Sequence, residues 1–147
     1  MPANTALRIS IGQHYFNNVA HANVGDATGL PAAATAGTLQ IALHTADPGL
    51  AGTQTTNEAA YTGYARVTVP RASVTGFTAT TNVVSNAVAV TFPNCTAAPG
   101  AALTHFSIGF VAGAGAQYWS GALTASYQPS IGNAPSFAIG ALTTTIT

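Results

Sequence analysis

Few side chains in this sequence could do chemistry. The titratable supply is Asp26, Asp47, Glu58, His14, His21, His44, His105 and Cys95, plus tyrosines and hydroxyls. His44 and Asp47 stand three apart in His44-Thr45-Ala46-Asp47-Pro48-Gly49. Read boldly, they are two ligands of a metal site or a His–Asp couple, but a metal site needs at least a third ligand. Read plainly, Asp47 bonds its own backbone in a turn and His44 finishes a strand. Cys95 is the one cysteine, so no internal disulfide forms. A reactive thiol needs a cation or imidazole beside it, and His105 is merely the nearest histidine along the chain. Cys95 therefore reads as structural. The chain has no His-Glu-x-x-His, no Gly-x-Ser-x-Gly and no phosphate-loop pattern. The expectation is a protein that is not an enzyme and has no catalytic residues, cofactor or metal.

Glu58 and Arg66 matter more as a pair. In a chain this poor in charge, each is expected to have a partner. They, or Asp47 with Arg66, are expected to hold a long loop against a sheet. Tyr61 and Tyr64 flank Gly63. Aromatic rings with polar tips suit protein interfaces, so one is expected to plug the end of the fold and the other to meet a partner. His44, Asp47, Glu58, Tyr61, Tyr64 and Arg66 are the candidate loop and interface residues. Trp119, beside Tyr118, reads as core or rim. A carbohydrate-binding module would need both exposed together in a cleft.

These residues sit on a strand, a long polar turn and a returning strand. Leu39, Ile41 and Leu43 alternate with Gln40 and Ala42, the period of a strand. Ala65, Val67 and Val69 alternate again on the return. Further strands are predicted around Phe77 and over 83–92, 105–111, 117–124 and 137–146, with a hairpin turn at Gly113-Ala114-Gly115. Ahead of them, Thr5 to Ala20 reads either as a helix or as an extended arm. As a helix it is capped by Asn4 or Thr5, with Leu7, Ile11, Tyr15 and Val19 on one stripe. Residues 21–38 read as a linker. The domain reading is an N-terminal arm or short helix and linker over 1–38, then a β-sandwich over 39–147. Short strands with Gly and Pro turns between them imply an all-β antiparallel β-sandwich, jelly-roll-like, with an N-terminal arm or short helix. An immunoglobulin-like sandwich is the rival.

Composition narrows the partners. The 147 residues are 48% hydrophobic but only 4% charged, with net charge zero. Ordinary soluble domains carry about a quarter charged residues. The charges are Arg8, Arg66, Arg71, Asp26, Asp47 and Glu58, and there is no lysine. Three scattered arginines make no basic stripe, so neither nucleic acid nor a membrane surface is expected as partner. The opening MPANTALRIS lacks a signal-peptide pattern, so synthesis in the cytoplasm is expected. Neutral, Thr- and Ala-rich surfaces suit large assemblies, where much of the exterior is another protein.

LHTADPG (Leu43 to Gly49) followed by NEAAYTGYARV (Asn57 to Val67) resembles a signature of small virion proteins of tailed bacteriophages, often described as tail-fibre proteins. Weaker echoes are TFPN, THFSIGF, the run from Trp119 to Leu123 and FAIGALTTTI. Some of those proteins resemble jelly-roll capsid cement, or decoration, proteins of the Bordetella phage type. The resemblance implies a structural virion protein on the capsid exterior. As cement it would bind the major capsid protein across capsomer joints, as a dimer or other symmetric oligomer, and stabilise the expanded shell. A tail or tail-fibre component, or a carbohydrate-binding β-sandwich module, is the alternative.

Overall fold

The computed structural model describes residues 3–22, 24–25, 29–110 and 115–147. Among the described residues one helix, α1 (Thr5–Asn17), precedes nine strands. These are β1 (Thr38–His44), β2 (Val67–Pro70), β3 (Phe77–Thr78), β4 (Val83–Asn86), β5 (Val90–Thr91), β6 (Leu103–Phe110), β7 (Gln117–Tyr127), β8 (Ser136–Phe137) and β9 (Thr143–Thr145). They form sheets of order β2-β1-β6-β7, β3-β4-β9 and β5-β8. The chain is mostly β, with antiparallel sheets and an N-terminal helix, consistent with the all-β sandwich class. Of the predicted hairpin turn, 113 and 114 lie outside the described residues, as does Asp26.

Two compact units divide the chain. The first joins Met1–Thr38, Val69–Ala89 and Phe137–Thr147. Here the helix forms where Asn4 caps it, its side chain accepting from Leu7 N at 2.9 Å. The end is marked by Asn18 in the left-handed region (φ 55°), whose side chain exchanges two 2.9 Å hydrogen bonds with the Ala33 backbone. The buried face of the helix is Gly12 and Phe16. Phe16 meets Phe77 edge-on at 5.0 Å. A Cβ on Gly12 would lie 3.1 Å from Val84 Cγ2 and 3.6 Å from Ala79 Cβ. The glycine that weakens the helix by propensity is thus what lets it approach the sheet. The predicted stripe is not the packing face: Leu7, Tyr15 and Val19 are exposed and Ile11 is half-buried. Spacing alone found a stripe, but the small residue chose the buried side.

Arg71 secures the far end of the helix. Its guanidinium donates to the carbonyls of His14, Tyr15 and Ala36. The first two are last-turn carbonyls that lack helical partners and carry the negative end of the helix dipole.

The predicted strand over 83–92 is broken into β4 and β5. Asn86, 1% exposed, is the cause. Its amide donates to Val88 O and Ala138 O, and its oxygen accepts from Leu142 N. A side chain that captures a carbonyl two residues ahead competes with the ladder. The predicted strand over 137–146 likewise splits into β8 and β9 around Gly140, whose φ is 74°.

The second unit joins Leu39–Thr68 and Val90–Ser136. Here β1 and β6 pair antiparallel, Leu39 opposite Phe110, Ile41 opposite Ile108 and Leu43 opposite Phe106. These six share one face, and five of them are buried. The other face carries Gln40, Ala42 and His44, opposite Gly109, Ser107 and His105. Ala42, His44 and Ser107 are also fully buried, because the long connection from β1 to β2 folds over them.

Gly12→Val should cost about 1–3 kcal/mol by overpacking. At about 2–4 °C per kcal/mol for a chain of this size, melting followed by circular dichroism should drop by several degrees. An unchanged midpoint would show that α1 does not pack through Gly12.

Candidate functional site

The covering connection meets the sheet through hydrogen bonds made by Thr56, Gln54 and Tyr64. His44 Nδ1 lies 2.8 Å from Thr56 O. A carbonyl only accepts, so Nδ1 carries the proton and donates. Nε2 is then the acceptor for the Ser107 hydroxyl at 2.7 Å. Gln54, itself fully buried, donates from Nε2 to Gln40 O at 3.0 Å and to Ser107 Oγ at 3.4 Å. Its backbone N–H donates to Gly115 O at 2.7 Å.

Arg66 and Glu58 close the base of the connection. Arg66 Nε donates to Glu58 Oε1 at 2.6 Å and Nη2 to Oε2 at 2.7 Å. This is the bidentate fork that gives the strongest side-chain hydrogen bonds. Arg66 Nη1 reaches Gln40 Oε1 at 3.4 Å and Gln54 Oε1 at 3.5 Å. The Tyr64 hydroxyl donates to Glu58 Oε1 and accepts from Leu43 N, both at 3.1 Å. Of the two pairings expected for Arg66, the structure holds the one with Glu58. Asp47 makes a turn instead: its Oδ1 accepts from Gly49 N at 2.8 Å.

The predicted residues therefore divide. Glu58, Tyr64, Arg66 and His44 share one network. Tyr61 is 3% exposed and donates to Pro93 O at 2.9 Å. Its ring meets Tyr64 edge-on at 5.3 Å, and Tyr64 stacks on Phe92. Asp47 stands exposed at the turn. Cys95 is buried and free. Trp119 is half-buried, and Tyr118 is 52% exposed. Among the described residues, no three His, Cys, Asp or Glu side chains converge to hold a metal ion.

Burial dominates the electrostatics. Desolvation pushes the Tyr61 phenol up to about 12 and raises Tyr64 further still. The Glu58 carboxylate holds Arg66 more firmly protonated. Burial lowers the His44 imidazole below its ordinary value. The Thr56 carbonyl and Glu58 oppose that shift, while Arg66 and His105 assist it. His44 with Ser107 is an imidazole–hydroxyl pair of the kind used to activate nucleophiles. Both residues are fully buried, so the pair bonds β1 to β6 rather than facing a substrate.

Gln54, Gln40 and Ser107 were not singled out by the sequence. One signal did point to them. Gly109 interrupts an apolar strand, and such a glycine often marks a close approach. A Cβ there would lie 2.8 Å from Gln54 Cδ and 2.0 Å from Ala116 O, so Gly109 is the seat of Gln54.

A family model described as podophage GP4 fiber I protein gp80 matches residues 7–145. The chain belongs to that gp80 family. It is accordingly a phage structural protein of fibre type, and its place is the virion. A search of curated proteins finds no match. The gp80 match runs through both units and takes in most of α1 and the whole network.

Two outcomes follow for this gp80-family chain. Arg66→Ala strands a part-buried carboxylate whose hydrogen bonds to a cation are worth about 1.5–3 kcal/mol. Its melting temperature should fall by about 5–10 °C, whereas Asp47→Asn, which keeps the turn, should move it little. An unshifted Arg66→Ala midpoint would remove the pair from its assigned role. The second outcome concerns acid. An unfolded imidazole titrates near about 6.5, and folded His44 lies lower. Below that pH the unfolded chain binds a proton that the native state refuses, so stability falls as pH drops. Above it, this contribution is complete. NMR titration should find the His44 ring still neutral at a pH where unfolded histidine is protonated. A His44 that titrates at its ordinary value would refute the sealed network.

Proposed function

We propose that this protein is a passive structural element of a fibre on the phage virion, held to its neighbours by shape and desolvation. The family match over residues 7–145 carries the reading. The surface supports it. With six formal charges in the whole chain, there is little electrostatic repulsion between copies. Large apolar side chains stand out from both units, among them Leu50, Val74, Ile131 and Ile139. Such a protein acts by binding the assembled state better than the separated one, which stabilises the assembly by mass action.

In this reading the chain catalyses nothing: its buried imidazole–hydroxyl pair, His44 with Ser107, is sealed from any substrate. It binds neither nucleic acid nor membrane, since its arginines are committed: Arg66 to Glu58, and Arg71 to main-chain carbonyls. Its partners are copies of itself and adjoining virion proteins. Capsid cement, with the major capsid protein as partner, is the competing location.

Gold-labelled antibody against the purified protein, imaged on intact virions, separates the two. Label confined to fibre projections is the expected result. Label spread evenly over the capsid, with added protein raising the melting temperature of expanded empty shells, would overturn the fibre reading in favour of cement.

A further inference from the structure

The connection between β1 and β2 presents one side chain outward. Leu50 is fully exposed. Single exposed leucines are ordinary on protein surfaces. What sets this one apart is how firmly its turn is built. Pro48 is buried. Asp47 Oδ1 accepts from Gly49 N at 2.8 Å, and Asp47 O accepts from Asn57 Nδ2 at 3.1 Å. Gly52 N donates to Gly49 O at 3.2 Å, and Gln117 Nε2 donates to the same oxygen at 3.1 Å. The base beneath is the Glu58–Arg66 fork and the buried Gln54. Three of the chain's six charged residues, Asp47, Glu58 and Arg66, are spent on this one connection.

We infer that the Leu50 turn is a preformed anchor that inserts into a partner protein on the virion. The partner surface it fits is an apolar pocket with a basic side chain on its rim. Apolar anchors seated in pockets carry much of the affinity of protein interfaces. A turn already fixed in its bound shape loses little entropy on docking. The charge of the rim follows from Asp47. Its carboxylate is exposed three residues before Leu50 and is the one ionised group on the tip. Its carboxylate accepts from the Gly49 amide and pairs with no cation among the described residues, which leaves it to face a cation across the interface.

This inference rests on the virion reading, and one experiment tells their failures apart. Purified full-length protein is titrated onto phage particles assembled without it, and bound copies are counted after sedimentation. Wild-type protein should bind saturably. Leu50→Ser should bind at least tenfold more weakly, and Leu50→Met should recover most of the loss. Asp47→Asn keeps the turn but removes the charge, so it should weaken binding at low salt and flatten the salt dependence. Val19→Ser, at an exposed apolar residue of the first unit, should bind as wild type does. Circular dichroism and melting of all four variants should match wild type. Equal binding by wild type and Leu50→Ser would overturn the anchor and leave the virion reading standing. Wild-type protein that binds no particle would bring down the virion reading itself. Leu50-dependent self-association without particle binding would also overturn the inference.

Discussion

The fork between Arg66 and Glu58 is the interaction on which the second unit depends. It is bidentate and part-buried, its two side chains 18% and 20% exposed. A pair in that setting is screened far less than one in free solvent. It fixes the end of a connection that would otherwise be a long uncovered loop. Once the fork is closed, Tyr64 is held against Leu43, and Gln54 lies over Gln40 and Ser107. The polar face of β1 and β6 then becomes interior. The sheet gains a second buried side without a second sheet to cover it.

Elsewhere neutral amides do what charges do in most proteins. Asn86 ties its own segment to the 138–142 segment of the first unit, with both amide hydrogens and its oxygen engaged. Gln54 does the same in the second. A buried amide needs hydrogen bonds but carries no ionic desolvation cost. That suits a chain with almost no ionised groups to pair. Small residues complete the scheme. Gly12 lets a helix meet a sheet, and Gly109 lets a glutamine lie on a strand. Close packing at both places depends on a missing Cβ.

Function follows from the same economy. Glu58, Arg66 and Arg71 serve interior architecture, and the exterior carries fixed apolar projections with the Asp47 carboxylate at one turn. In the proposed reading this gp80-family protein is one brick among many. Neutral surfaces favour close contact between copies, and rigid turns offer defined points of attachment.

The sequence by itself determined the fold class, the absence of any known catalytic motif, and the strands with clean alternation. β1 and β6 were legible because period two survives where one face is wholly apolar. The Glu58–Arg66 partnership was legible because so few charges left so few choices. Tertiary structure decided the rest. The helix face could not be read, since Leu7, Tyr15 and Val19 made the better stripe while Gly12 and Phe16 made the better fit. The breaks in two predicted strands depend on Asn86 and on a turn at Gly140. Gln54 and Ser107, 53 residues apart, meet only after the chain has folded back. Local pattern encodes which surfaces are apolar, but which polar groups end up buried together is set by contacts that sequence spacing does not carry.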